Sequence, residues 1–298
     1  MRSGMKFIDE HLDRIDRFQR THRVLAFPYA VIKKYGEDQG GYQAVLLTYY
    51  AFLSLFPLLL VVTTIAHLLL RGDSPLNQRI ISGVTNYFPI IGNQLQHDVH
   101  GFSATGLPAI LGLLFLFYGA RGIADAFRHA ANNIWHVPMS QRSGFLPARA
   151  RSTSMVAAGG LGFLASAVVA SYATLAGHST LLRLPFILAS AVVLFYTFLF
   201  LMKMAVNRPV HLRDIRAGAA VATIGLLIMQ SLGGYIVTHQ LKHLDTLYGT
   251  FAVVLGLFFW LYLQAQLIIY AMEIDTVRVL KMWPRRITGD DRHRSDEI

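Results

Sequence analysis

The sequence predicts an all-α fold: a polytopic membrane bundle of six transmembrane helices, with an amphipathic helix before the first and an outer amphipathic segment after it. Three observations carry this reading. Only 15% of the residues are charged and 54% are hydrophobic, whereas a soluble domain carries about 25% charged residues and would not stay dispersed with so few. Six stretches reach the roughly 20 apolar residues that a helix needs to cross a hydrocarbon core about 30 Å thick. The 27 Lys and Arg residues of the 298-residue chain gather in alternate connections. The hydrophobic content excludes a disordered chain. The absence of cysteine excludes disulfides, CxxC zinc sites and thiol nucleophiles.

Residues 1–43 contain no apolar core of about 7–15 residues and so do not read as a cleaved signal. Ile8, Leu12, Ile15, Phe18 and Leu25 recur at helical spacing among Lys and Arg, which suits a helix lying on the inner leaflet and drawn to anionic headgroups. Asp9, Glu10, Asp13 and Asp16 share that helix, which disfavours a nucleic-acid partner, since a phosphate-tracking stripe has no use for acids. The spans follow at about 44–70, 104–124, 152–176, 184–206, 215–237 and 250–272, and residues 276–298 form a basic tail. Between the first two spans, Ile80, Ile81, Val84, Tyr87, Phe88 and Ile91 recur at roughly helical spacing up to Pro89 and Gly92. This segment reads as a surface helix covering the bundle or as a lid over a cavity.

Charge gives the orientation. The N-terminal 43 residues hold 8 Lys and Arg, the loop between spans two and three 5, the next connection on that side 4 and the tail 6; the opposite connections hold 2, 1 and 1. The positive-inside rule therefore places both termini on the cytoplasmic side of the membrane, and an even number of spans agrees.

Intramembrane ionisable groups are functional candidates by default, but the central thirds of the spans have no Lys, Arg, Asp or Glu. The candidates lie elsewhere. On span two, Arg121, Asp125 and Arg128 stand four and three apart on one helix face, with Asn132 beyond; they read as a gate, a headgroup site or an interhelical latch. Trp135 and Pro138 should end that helix near headgroup depth. On span six, Tyr262, Gln266, Tyr270 and Glu273 form a continuous face, with Trp260 and Gln264 adjacent. They read as interhelical hydrogen bonding or as the wall of a polar cavity. Span one carries Tyr49, Tyr50, Ser54 and Pro57, and Pro57 should kink it, because proline cannot bond the carbonyl one turn back. Ala158, Gly162, Ser166 and Ala170 on span three, and Gly218, Ala222 and Gly225 on span five, read as packing seams.

No catalytic or cofactor motif appears, neither HExxH, GxSxG nor a P-loop, and neither an enzyme nor a bound cofactor is expected. His67, His97, His100, His178, His239 and His243 fall on or beside the outer face. The His239/His243 pair with Asp245 has a spacing that suits a metal, although scattered histidines without cysteine read better as interfacial.

Thr48-Tyr-Tyr-Ala-Phe-Leu-Ser-Leu-Phe-Pro-Leu58 resembles the signature of the YihY/virulence factor BrkB family. So do Arg121 through Trp135, Pro209 to Gly218, Tyr248-Gly-Thr250, Trp260-Leu-Tyr262 and Glu273, in family order across about Lys33 to Asp275. The resemblance implies a six-span inner-membrane protein with cytoplasmic termini. It also brings the label ribonuclease BN, which this sequence contradicts by lacking an HxHxDH ligand cluster. Association with serum resistance and candidacy for envelope lipid export are further implications of the resemblance. The function expected is a transporter or lipid/solute exporter of the envelope, with membrane lipid or a small solute as partner. The alternative is a non-transporting scaffold for envelope machinery. A polar cavity between spans one, two and six separates the two.

Overall fold

The computed structural model describes residues 23–70, 107–175, 180–236 and 250–285. Over these the chain forms α1 (Arg23–Glu37), α2 (Gly40–Leu70), α3 (Leu107–Ile134), a single 3-10 turn (Met139–Gln141), α4 (Phe145–Leu175), α5 (Thr180–Ala205), α6 (Leu212–Ile236) and α7 (Thr250–Val279). No strand occurs among the described residues. The stretch Ile8–Phe18, the outer segment 71–103, His178, the His239/His243 pair and the tail from residue 286 lie outside them. So do the side chains of Pro57 and His67, although the α2 backbone remains helical through both positions.

Five described helices are long and apolar enough to cross a membrane: Ile110–Ile134, Phe145–Tyr172, Leu181–Ala205, Leu212–Gly233 and Val254–Val279. The protein is thus a polytopic helical membrane protein. The predicted six includes α2, which has 31 residues but whose side chains are described only as far as Leu55.

The long helices pack as three successive antiparallel pairs, α2 with α3, α4 with α5 and α6 with α7. Contacts of α5 with α6 and of α2 with α7 join the pairs, while α3 touches α4, α5 and α7 more sparingly. Small residues let the backbones approach, as membrane helices require where lipid removes the hydrophobic drive to associate. A Cβ on Gly122 would overlap the Tyr50 ring, and one on Gly162 would overlap Thr197. The seam on span three therefore does face a neighbouring helix, and span two carries an equivalent seam at Gly119 and Gly122 against Ser54 and Tyr50.

The apolar core sits toward one end. Ala126, Ala130, Ile134, Trp135, Met202, Ala205, Ile215, Ala219, Ile269 and Met272 are all buried in it. At the opposite end Ile110 and Leu114 of α3, Leu181 and Leu184 of α5, and Ile228 and Leu232 of α6 are exposed. The packed end is also where α1 docks, against α7 and α2, and it holds the described charges of α1, α3, α4 and α7; it is called the charged end below.

Trp135 directly follows the end of α3 at Ile134, where that helix is expected to stop, and its side chain is buried in the core. The cause is the cap of α3. Val137 N–H donates to Asn132 O at 2.8 Å and His136 N–H to Asn133 O at 3.0 Å, while His136 takes φ 50°. This is a Schellman ending with a left-handed residue just past the helix, and it reverses the chain so that the residue before it points back into the bundle.

Candidate functional site

The charged end is closed by interhelical polar contacts. In the first cluster Lys34 of α1 is fully buried. Its ammonium donates to the Asp38 carboxylate, to Ile134 O at 2.9 Å and to Glu273 Oε2 at 2.8 Å. All three N–H groups of the ammonium are thereby used, and α1, α3 and α7 meet at one atom. Lys34 reaches this position because Phe27, Ala30 and Val31 turn the same face of α1 toward Val277, so the lysine lies on an apolar stripe and must bring its own counter-charges. One residue on, Tyr35 stacks on Tyr270 with ring centroids 4.1 Å apart. Its hydroxyl accepts from Gln266 Nε2 at 3.3 Å, and Gln266 also donates to Tyr262 Oη at 2.9 Å. Burial raises the Tyr35 phenol pKa above its ordinary value. The face Tyr262–Gln266–Tyr270–Glu273 thus points into the bundle, where α1 covers it. Glu273 is a buried ion-pair partner and not the wall of an open cavity at this end.

The second cluster joins α3 to α4. Asp125 takes Arg121 Nε at 3.3 Å and lies 3.7 Å from Arg128 Nη1, and Ser152 Oγ donates to it. Arg128 Nη1 also donates to Ala148 O at 2.9 Å and to Ser152 Oγ at 3.0 Å. One turn on, Asn132 Nδ2 donates to Ala205 O and to Asn207 Oδ1, each at 3.2 Å, and its Oδ1 accepts Asn207 N–H at 2.8 Å. Asn132 therefore stitches α3 to the end of α5.

A third contact joins α6 to α7, where Asp275 Oδ1 accepts the Gly218 N–H at 2.8 Å with Arg278 Nη2 at 3.6 Å. Arg278 donates to Arg213 O and Asp214 O at 2.9 and 2.7 Å, taking up carbonyls in the first turn of α6. Outside the bundle, Arg285 pairs with Glu37 and Trp283 packs edge-on to Phe27, so the segment after α7 clasps α1. An open cavity of about 400 Å³ lies between Glu37–Gln39 and the α3–α4 link. Its Glu37, Asp38 and Arg142 are already engaged, by Arg285, Lys34 and Asn133 respectively.

The remaining predicted residues divide. Ser54 is buried and donates to Ala51 O at 3.0 Å, Tyr50 packs on Gly122, and Trp260 is buried. Tyr49 is exposed on α2 and touches Tyr50 edge-on. These four do not join either cluster. The sequence reading missed Lys34, Tyr35, Asp38, Arg151, Ser152 and Asp275. Lys34 had a signal, a cation in the apolar stripe with an acid four residues on. Asp275 had one as well, since it stands two residues from Glu273 and thus on the other side of the helix.

Long apolar helices joined at one end by buried polar contacts define a polytopic helical membrane protein. The chain belongs to the family described as virulence factor BrkB, whose model matches residues 31–294. It is 28% identical to a UPF0761 membrane protein of Chromohalobacter salexigens, over 82% of this chain and 61% of that relative. It is 28% identical to one of Vibrio parahaemolyticus over 92% of this chain and 85% of the relative, and 27% to one of Chlorobium luteolum over 82% and 57%. The chain thus spans about three fifths of the Chromohalobacter and Chlorobium proteins. No solved structure matches it.

Proposed function

We propose that the chain is a six-span transporter of lipid or small solute in the bacterial inner membrane, with its charged end in the cytoplasm and no catalytic step of its own. Among the described residues no polar cavity opens between spans one, two and six at the charged end, where Lys34 and Tyr35 fill the space. The reading is therefore of a state closed on that side, and it rests on the asymmetry of the bundle. Its charged end is held by polar latches at Lys34, Asp125, Asn132 and Asp275, whereas the opposite halves of α3, α5 and α6 expose their side chains. A protein of alternating access needs an end that closes tightly and reopens, and partner-specific polar contacts can be broken and remade where fused apolar packing cannot. The location of 23 of the 27 Lys and Arg residues supports the orientation.

The test is flux across liposomes holding the full chain, with labelled lipid and small solutes as cargo. Movement above protein-free vesicles is expected, reduced in Glu273→Gln. Folded protein that moves neither sinks the reading. A scaffold role is favoured by the exposed Phe145, Leu146 and Met139 at the charged end, an apolar group available to a partner. Silent Glu273→Gln and Arg121→Ala variants, with phenotype lost on deleting residues 286–298, would decide for it.

A further inference from the structure

The α3–α4 cluster has cationic donors left over. Three guanidiniums, of Arg121, Arg128 and Arg151, act on a neighbourhood that holds one carboxylate, Asp125. Asp125 already receives Arg121, Arg128 and the Ser152 hydroxyl. Nη1 of Arg128 is engaged by Ala148 O and Ser152 Oγ. The Nε of Arg128 and Nη1 of Arg151 remain; both are buried and neither has a hydrogen-bond acceptor. Arg128 as a whole is only 7% exposed. A buried charged donor without an acceptor is costlier than a neutral one, and among the described residues no second acid pairs with these guanidiniums. An oxyanion with several acceptor oxygens satisfies both donors in the planar fork geometry that suits guanidinium.

The surroundings choose among anions. From Arg121 back along α3, Tyr118, Phe117, Leu114 and Ile110 follow at steps of three and four, so they share its face. That face is uncovered, with Tyr118 62%, Leu114 61% and Ile110 58% exposed. A soluble anion gains nothing from such a track, whereas a molecule with a phosphate at one end and acyl chains at the other matches both parts. The side chains of Arg121 and Asp125 are 27% and 41% exposed, which leaves an entrance at the junction of track and cations.

We propose that Arg121, Arg128 and Arg151 form a binding site for the phosphate of an anionic phospholipid whose chains lie along the Ile110–Tyr118 face of α3. The site goes beyond the transport reading, because a protein that carries no lipid across the membrane would hold it equally.

The full chain in detergent is titrated with phosphatidylglycerol, phosphatidylcholine and glycerol 3-phosphate, and retained ligand is read by native mass spectrometry. Phosphatidylglycerol should be retained most tightly. Arg151→Gln and Arg121→Gln should each weaken it about tenfold, with the melting temperature in lipid-free detergent nearly unchanged. Asp125→Asn should tighten it, because the rival carboxylate is gone; a purely structural Asp125 would not give that result. Unweakened retention in both arginine variants overturns the site, and glycerol 3-phosphate binding as tightly as phosphatidylglycerol overturns its lipid occupant. Equal retention of phosphatidylcholine overturns the preference for an anionic headgroup. If the arginine variants do not fold, Asp125→Asn decides alone, with unchanged or weaker retention overturning the proposal. Liposome flux is scored separately, so a failed transport reading leaves this measurement intact.

Discussion

Around Lys34 two acids meet one cation; around Asp125 three cations meet one acid. Both clusters sit at the same end of the bundle; the first joins helices distant in sequence, the second the consecutive α3 and α4. In the first, every donor of the ammonium has an acceptor, and solvent reaches neither Lys34 nor Glu273. In the second, guanidinium donors stay unmatched beside a partly exposed carboxylate. A cluster whose donors are all spent holds helices together. Buried atoms without a partner occur in both, Glu273 Oε1 in the first and Arg128 Nε and Arg151 Nη1 in the second. Only in the second are they cationic donors, and on that difference the proposed anion site rests.

The largest effect should come from opening the closed cluster. Lys34→Met leaves Glu273 buried without its partner, and removing one member of a buried pair costs about 3–5 kcal/mol. Thermal unfolding of the full chain in detergent should show this loss, and the Lys34→Met/Glu273→Leu double variant should recover most of it, because apolar packing replaces a buried pair at little cost. A double variant no more stable than the single would break the comparison. Gly218→Ala should come next, at about 1–3 kcal/mol, since its Cβ would overlap both Asp275 Oδ2 and the Ala271 carbonyl. A change too small to resolve would show that α6 and α7 can separate there freely. Arg121→Gln should be smallest, within about 1 kcal/mol, as its ion pair is part-exposed and its neighbours keep their other bonds. A loss approaching that of Lys34→Met would mean that both clusters are clasps.

Much of the architecture was legible because membrane helices announce themselves by length and by the scarcity of charge. Spans two to six each overlap one of the helices observed, while the ends moved. Helix α2 starts at Gly40, α4 at Phe145, and α7 runs on to Val279, because hydropathy marks where hydrocarbon ends and not where backbone hydrogen bonds do. The candidate residues on α3 and α7 were visible as periodic polar faces. Their partners were not, since Ser152, Gly218 and the Ala205 carbonyl carry no pattern of their own and become informative only when a second helix is brought to them. The Tyr262–Glu273 face was open to two readings, hydrogen bonding or a wet cavity. At the charged end Tyr35 and Lys34 decide for the former.

The pairing of Lys34 with Glu273 spans 239 positions, and this bears on how the protein is made. Helix α1 leaves the ribosome well before its counter-charge on α7. At about 5–20 residues per second, tens of seconds pass between them. Throughout that interval Lys34 has Asp38 on its own segment for company, and α1 is best accommodated at the membrane surface with its ammonium in water. The docking of α1, with the Trp283–Arg285 segment closing over it, is then a finishing step of assembly that only a chain translated through α7 can complete.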